Sequence, residues 1–191
     1  TLNNNIVRTV NNSTLKGTDN EALLIVDNTR TLSFVGDDIT NLGLIIPDGT
    51  TSATNLFFSD ASDSTITLGG TGGILLDNAF DGITGSINHT LVHNSPHTIE
   101  GGGELGRGQI SFLNHSAVTA NHAIPLVITP RSFWDNDGGT VIATPGATAI
   151  LNAGAYSCQN GGFFQVGDGA ELRLVGPTIT DSTFHVDNGD A

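Results

Sequence analysis

One spacing recurs in the C-terminal half of the chain and restricts its fold more than any other feature. The segments SAVTANHAIPLVIT (116–129), GTVIATPGATAILN (139–152) and GFFQVGDGAELRLV (162–175) each begin 23 residues after the one before. A fourth segment, STFHVDNGDA (182–191), begins 20 residues later. Apolar residues alternate with polar ones on either side of a stretch rich in Gly, Pro, Asn or Asp. Such a period indicates a stacked repeat, in which each unit is covered by its neighbours.

Apolar residues fall at matching positions of these segments. In a strand, alternate side chains point to the same side, so matched apolar positions in stacked strands form continuous inward rows. The predicted rows are Val118, Val141, Phe164 and Phe184; Leu126, Ala149 and Leu172; and Ile128, Leu151 and Leu174.

The repeat predicts an all-β fold, a single-stranded right-handed parallel β-helix (β-solenoid) with rungs of about 20–23 residues. We expect eight or nine rungs, and the right hand follows from the usual hand of parallel crossovers. One domain is expected over residues 1–191, with less regular rungs over 1–60 and the clearest rungs over 64–191. Two alternatives stay open: an antiparallel sandwich, and chance similarity in a chain rich in Gly, Thr and Val.

An eleven-residue phrase occurs twice. VDNTRTLSFVG (26–36) and VGDGAELRLVG (166–176) both begin with Val, place turn-forming residues in the first half and end in Val-Gly. Because the second copy lies within the regular repeats, the first indicates a similar rung in the N-terminal half.

Charge and composition exclude several classes of protein. The net charge is −13, and the six Lys and Arg residues are scattered, whereas nucleic-acid binding requires clustered positive charge. No apolar run approaches the ~18–20 residues of a membrane span, so we expect neither a nucleic-acid partner nor membrane insertion. A single Cys, Cys158, cannot form an internal disulfide.

Few residues suggest chemistry. Asp135 and Asp137 begin like a calcium loop but lack the later Glu of an EF-hand, so they are weak Ca²⁺ candidates and no other cofactor is expected. Other acid pairs, such as Glu100 and Glu104, lie in turn-rich sequence and are interpreted as solvated carboxylates, with no catalytic residue assigned. Trp134, in a segment that departs from the repeat, suggests a loop elaboration and, with Tyr156, the one available aromatic platform.

Three His residues are spaced by four: His89, His93 and His97. Pro96 argues against a helix, and in a strand His89 and His93 share a side. We interpret these residues as exposed polar side chains on a face of the solenoid rather than as metal ligands.

Three segments carry a resemblance to a known class of protein: STITLGGTGGILLDNAFDGITG (64–85), NHTLVHNSPHTIEGGGELGRGQISFLNHSAVTANHAIPLVITP (88–130) and GGTVIATPGATAILNAG (138–154). Together they resemble the β-solenoid repeat regions of very large bacterial adhesin-like or autotransporter-like surface proteins. The resemblance covers residues 64–191 clearly and 14–60 loosely. It implies a stalk, fibre or adhesive surface, an extracellular or cell-surface location, and surface glycans as adhesion partners.

The two ends of the sequence suggest continuation. Joined, they read FHVDNGDATLNNNIV, which matches the Val-Asp-Asn turn that follows Ile25. We therefore expect copies of the chain to stack end to end as units of a longer array or fibre, through Thr1, Leu2, Ile6, Phe184, Val186 and Ala191. The alternative function is a carbohydrate-binding or carbohydrate-cleaving β-helix protein, a polysaccharide lyase or glycosidase.

Overall fold

The computed structural model describes residues 6–17, 19–60, 65–152, 157–159 and 162–187. This part of the chain contains strands and turns and no helix, and its parallel sheet is coiled into a β-solenoid of about seven turns. The strands are β1 (Ile6–Thr9), β2 (Ser13–Lys16), β3 (Leu23–Val26), β4 (Thr31–Val35), β5 (Asp38–Thr40), β6 (Leu44–Pro47), β7 (Thr54–Ser59), β8 (Thr65–Gly69), β9 (Gly73–Gly85), β10 (Thr90–Leu105), β11 (Ser111–Ala120), β12 (Leu126–Ile128), β13 (Trp134–Asp135), β14 (Thr140–Ala143), β15 (Thr148–Asn152), β16 (Ser157–Gln159), β17 (Phe163–Val166), β18 (Glu171–Val175), β19 (Thr178–Ile179) and β20 (Thr183–Val186).

The strands form three parallel stacks, which we call the first, second and third faces. Strands β9, β10 and β11 are long because each bends through a corner and contributes to more than one face. The first face stacks β1, β3, β6, β9, β10, β11, β14, β17 and β20. The second stacks β2, β4, β7, β9, β10, β12, β15 and β18, and the third β5, β8, β10, β11, β13, β16 and β19.

The parallel solenoid of about seven turns confirms the predicted fold class. The first face stacks nine strands, the second eight and the third seven, against the eight or nine rungs expected. The turns of the N-terminal half are less even than the repeat suggests. Ile45 and Ile74, partners in adjacent strands of the first face, are 29 residues apart, because β7 and β8 are longer than β4 and β5 of the turn before and because the connections on either side of β7 are longer too. The right hand of the coil stays a prediction.

The register aligns the apolar residues of successive turns. In the first face Val118, Val141, Phe164 and Phe184 are consecutive partners. In the second face the register joins Leu126, Ala149 and Leu172, and beside them Ile128, Leu151 and Leu174.

Leu174 departs from the expectation that the whole third row is buried. Its partner Leu151 is 1% exposed, but Leu174 itself is 43% exposed. Leu174 belongs to β18, the last strand of the second face among the described residues, so no further strand of that part covers it.

The repeated eleven-residue phrase occupies one corner of the coil twice. Each copy contains the end of a first-face strand, a tight turn and a second-face strand. In the first copy Arg30 N–H donates to Asp27 O (3.1 Å), and in the second Ala170 N–H donates to Gly167 O (3.0 Å). The phrase recurs because the same turn must reverse the chain at the same corner.

Aromatic side chains stack between turns in the interior. The rings of Phe34 and Phe58 lie 5.1 Å apart between centroids, and Phe112 packs at 5.3 Å against Trp134. Trp134 lies in β13 and is fully buried. Trp134 therefore cannot supply an aromatic platform, because the indole fills the inward position next to Phe112, and Tyr156 lies outside the described residues.

Candidate functional site

At the N-terminal end of the described coil, the interior is open at Val7, whereas Thr9, the next inward residue of β1, is 7% exposed. Val7 is in the same inward column as Leu24, but Val7 is 40% exposed and Leu24 is 3% exposed. Ile6 and Val10 are also exposed. The difference arises because β1 is the first strand of the first face among the described residues.

The C-terminal end is open in the same way. Phe184 stacks on Phe164, with centroids 5.0 Å apart and planes 11° from parallel, yet it is 48% exposed while Phe164 is fully buried. Val186, the next inward residue of β20, is exposed as well. The expected end residues Thr1, Leu2 and Ala191 lie outside the described residues. Each described end thus presents an uncovered apolar column next to a strand edge.

The end turns carry different charges. The first turn, residues 6–22, holds Arg8 and Lys16 against Asp19 and Glu21, so its charges balance. Residues 171–187 include Glu171, Asp181 and Asp187 against Arg173 and His185. Arg8 Nη1 lies 2.5 Å from Asp27 Oδ1, and His185 Nε2 lies 2.9 Å from Asp187 Oδ1.

A second group of side chains forms a continuous polar path inside the coil, where the third face turns into the first. All but the first, partly buried member are fully or almost fully buried. We call this group the polar column: Asn20, Asn41, His97, His93, Asn114 and Asn136.

The hydrogen bonds fix the tautomers of both imidazoles. Asn41 Nδ2 can only donate, so His97 Nε2 accepts (3.0 Å) and a neutral His97 carries its proton on Nδ1. That N–H donates to His93 Nε2 (3.0 Å). His93 then carries its proton on Nδ1 and donates to Asn114 Oδ1 (2.8 Å).

The amides at each end continue the same direction. Asn20 Nδ2 donates to Asn41 Oδ1 (2.8 Å), Asn114 Nδ2 donates to Asn136 Oδ1 (2.7 Å), and Asn136 Nδ2 donates to Phe163 O (3.5 Å). Every donor therefore points toward the C-terminal end of the coil, and hydrogen bonds aligned in this way polarise and strengthen one another.

Both imidazoles are held neutral. Burial is the main reason that the pKa of His93 falls to about 4 and the pKa of His97 to about 3. The path adds a second reason, because a proton on His97 Nε2 would face the Asn41 donor and a proton on His93 Nε2 would face His97 Nδ1–H. The expectation of exposed His residues is wrong for these two, while His89 lies apart in a turn and bonds to Asp60 O (3.3 Å).

Glycines make room for the polar column. Gly70 has φ +103°, and a Cβ there would lie 2.2 Å from Asn41 O. Gly138 also has a positive φ, +71°, but no atom lies within 4 Å of the position that a Cβ would take there. An added side-chain carbon at Gly138 would therefore meet backbone strain but no neighbouring atom.

We expect Gly70→Ala to lower the free energy of unfolding by more than ~3 kcal/mol, because backbone strain is added to a displaced Asn41. Gly138→Ala, with the strain alone, should lower it by about 1 kcal/mol. Chemical denaturation of both variants checks this, and equal losses would contradict the close contact at Gly70.

One buried carboxylate lies at the corner between the first and second faces. Asp81 accepts N–H hydrogen bonds from Gly49 (2.7 Å), Asp77 (3.0 Å) and Asn78 (3.0 Å). Burial raises the pKa of Asp81 to about 7, against the opposing effect of the bond from Gly49. Asp81 thus fastens two chain segments at this corner; the sequence analysis did not single it out.

The calcium candidates lie on the outer side of the third face. Asp135 Oδ1 accepts the Asp137 N–H (3.2 Å), and partial burial raises the pKa of Asp135. Among the described residues, no three His, Cys, Asp or Glu side chains are grouped so as to hold a metal ion.

A shallow groove of about 400 Å³ runs over the outer side of the second face. Arg107 Nε lies 3.4 Å from Glu104 Oε2, and Glu104 lines the groove. The other lining residues are mainly small or apolar and include Ile124, Pro125, Val127, Ile150 and Asn152.

Comparison of the chain with protein-family models, with curated proteins and with solved structures found no match. The described residues include no helix that is long and apolar enough to cross a membrane.

Proposed function

We propose that this chain is a structural, fibre-forming or adhesive extracellular module that stacks end to end through its terminal turns. The observation that carries the proposal is the change in exposure along single columns. Inward side chains that are buried within the coil become half exposed at Val7 and Phe184.

The physical argument rests on how a solenoid turn is completed. Each turn supplies the next with strand hydrogen bonds and with a cover for its apolar columns, and an open strand edge invites pairing. A further turn laid on Phe184 would remove the rest of that ring from water, which is worth about 1 kcal/mol for half of a Phe side chain. The next unit can be a separate copy or a continuation of the same polypeptide, since both give the same stack.

The proposed setting is extracellular or on the cell surface, with surface glycans as targets if the module is adhesive. Its support is the resemblance of residues 64–191 to β-solenoid regions of bacterial adhesin-like proteins. A chain with one Cys and no Met is compatible with an oxidising setting.

We expect Phe184→Asp to abolish association of the chain at concentrations where the unchanged chain associates. A charge would stand in the apolar column of the joint, where its desolvation is not compensated. Thr183→Asp is the matched control, because it adds the same charge on the adjacent, outward position of β20. Sedimentation velocity over a concentration series measures the effect, and equal association of the two variants would contradict stacking through the inward column.

The carbohydrate-related alternative has one supporting observation, the groove beside Glu104. Against it, Trp134 is buried and so cannot supply the aromatic platform for a sugar ring. Incubation with acidic and neutral polysaccharides, with and without Ca²⁺, separates the two functions: binding that is lost on Glu104→Gln favours the alternative.

A further inference from the structure

We propose that successive copies join head to tail in the register used inside the coil, with an ion pair between Asp187 of one copy and Arg8 of the next. This inference rests on the proposed end-to-end stacking and specifies its partner, polarity and register. The partner is a second copy of this chain.

The register follows from the first face. One inward column runs through every strand pair from Val7 in β1 to Phe164 and Phe184, and Thr9 and Val186 each lie two residues further along β1 and β20. Adding β1 of the next copy to β20 in this register places Val7 on Phe184 and Thr9 on Val186. The apolar column then continues through the joint.

The backbone is set up for the same register. The residue that follows a first-face strand donates its backbone N–H to the carbonyl at the end of the same strand one turn earlier. Asp27 N–H donates to Thr9 O (3.3 Å), and Asp187 N–H donates to Val166 O (2.9 Å). Continued by one turn, this series has Val10 N–H of the next copy donating to Val186 O.

The ion pair follows from an arrangement that the coil already contains. Arg8 lies 2.5 Å from Asp27, the residue that follows the inward Val26 one turn further on. Asp187 follows the inward Val186 in the same way. In the joined register, Asp187 of one copy lies one turn before Arg8 of the next copy, and Asp27 lies one turn after Arg8. Both carboxylates then follow strands that are about one strand spacing, ~4.8 Å, from the strand that carries Arg8. The side chains of Arg8 and Asp187 are both nearly half exposed, so each can take a further partner beside the one it has in its own copy, Asp27 for Arg8 and His185 for Asp187.

The strand direction selects the polarity. Only a head-to-tail joint lays β1 of the next copy parallel to β20, as the first-face strands are within the coil. A tail-to-tail joint would also bring Asp181 and Asp187 against the same carboxylates of a second copy, and like charges at an interface oppose association.

Charge reversal tests the joint. We expect Arg8→Asp and Asp187→Arg each to weaken association by about tenfold or more, measured by sedimentation velocity at low salt. An equimolar mixture of the two single variants, and the double variant Arg8→Asp/Asp187→Arg, should both return to within about threefold of the unchanged chain. Lys16→Asp is the control, because it alters the same turn by the same charge but lies opposite Pro177 in this register.

The outcomes separate this inference from the function on which it rests. If the unchanged chain associates and the single reversals associate equally well, the ion pair and register are wrong while stacking stands. A double variant that stays as weak as the single ones also overturns the pair. If the unchanged chain stays monomeric at every concentration, the joint between separate copies and its register are both wrong. Circular dichroism and melting of each variant establish that it is folded before association is compared.

Discussion

Leu151→Asp is expected to lower the free energy of unfolding by more than ~4 kcal/mol and to leave little folded protein at room temperature. Leu151 is 1% exposed and lies between Ile128 and Leu174 in one inward column. A carboxylate there has neither water nor a cationic partner among its column neighbours, and the apolar contacts with both adjacent turns are lost.

Two further variants show whether the loss of unfolding free energy depends on the side chain pointing inward and being covered by a following turn. Asn152→Asp adds the same charge on the next, outward residue and should stay within ~0.5 kcal/mol of the unchanged chain. Leu174→Asp, in the same column but 43% exposed, should cost about 1–2 kcal/mol, because part of the charge stays in water. Urea denaturation of the three variants measures the series, and equal losses at Leu151 and Asn152 would contradict the inward and outward alternation.

Acid is expected to destabilise the protein through the polar column. The pKa values of His93 and His97, about 4 and about 3 in the folded chain, both lie below the value of 6.5 for an unperturbed His. The unfolded chain therefore binds more protons below pH 6.5, so this contribution to stability is complete above pH 6.5 and is lost as the pH falls toward 4. Each His should cost about 2 kcal/mol by pH 5.

Asp81 acts in the opposite direction over part of this range. Its pKa is raised to about 7 from 3.8, so its stabilising effect is complete below pH 3.8 and is lost as the pH rises through 7. Unfolding between these values releases one proton from Asp81 while His93 and His97 each take one up. As the pH falls, the free energy of unfolding of the unchanged chain therefore decreases less steeply than it would if only the two His residues contributed.

A variant comparison isolates the His contribution. His97→Asn should lower stability at pH 8, because a ring is lost from the column, and should reduce proton uptake on unfolding near pH 5 by one. The free energy of unfolding is measured from pH 8 to pH 4, and its slope against pH gives the number of protons taken up on unfolding. If the slope of His97→Asn equals that of the unchanged chain, His97 is not held neutral in the folded chain.

The 23-residue spacing was sufficient to predict the solenoid and the partners within its best rows, because register in a parallel stack repeats the sequence period directly. Val118, Val141 and Phe164 are matched in sequence and adjacent in space for this reason. Period alone does not distinguish an inner turn from an end turn, so the exposure of Leu174 could not be read from it.

The polar column was missed because a polar residue was assumed to point outward, although alternation places His93 on the same side of the strand as Leu91. A signal was present in the spacing of Asn114 and Asn136, one turn apart at the same corner. His93 pairs with Asn114 and with the buried Leu68 in its column, which would have marked it as inward once the register was known. His97 could not be assigned in that way, because the ladder is irregular between Asn94 and Thr98.

Electron microscopy of the purified chain over rising concentration tests end-to-end stacking most directly. The account predicts filaments one solenoid wide, in which the ~4.8 Å strand spacing continues through each joint between copies. Phe184→Asp examined in parallel should give separate short particles. Separate particles of the unchanged chain at every concentration would contradict the proposal that its end turns join one copy to the next.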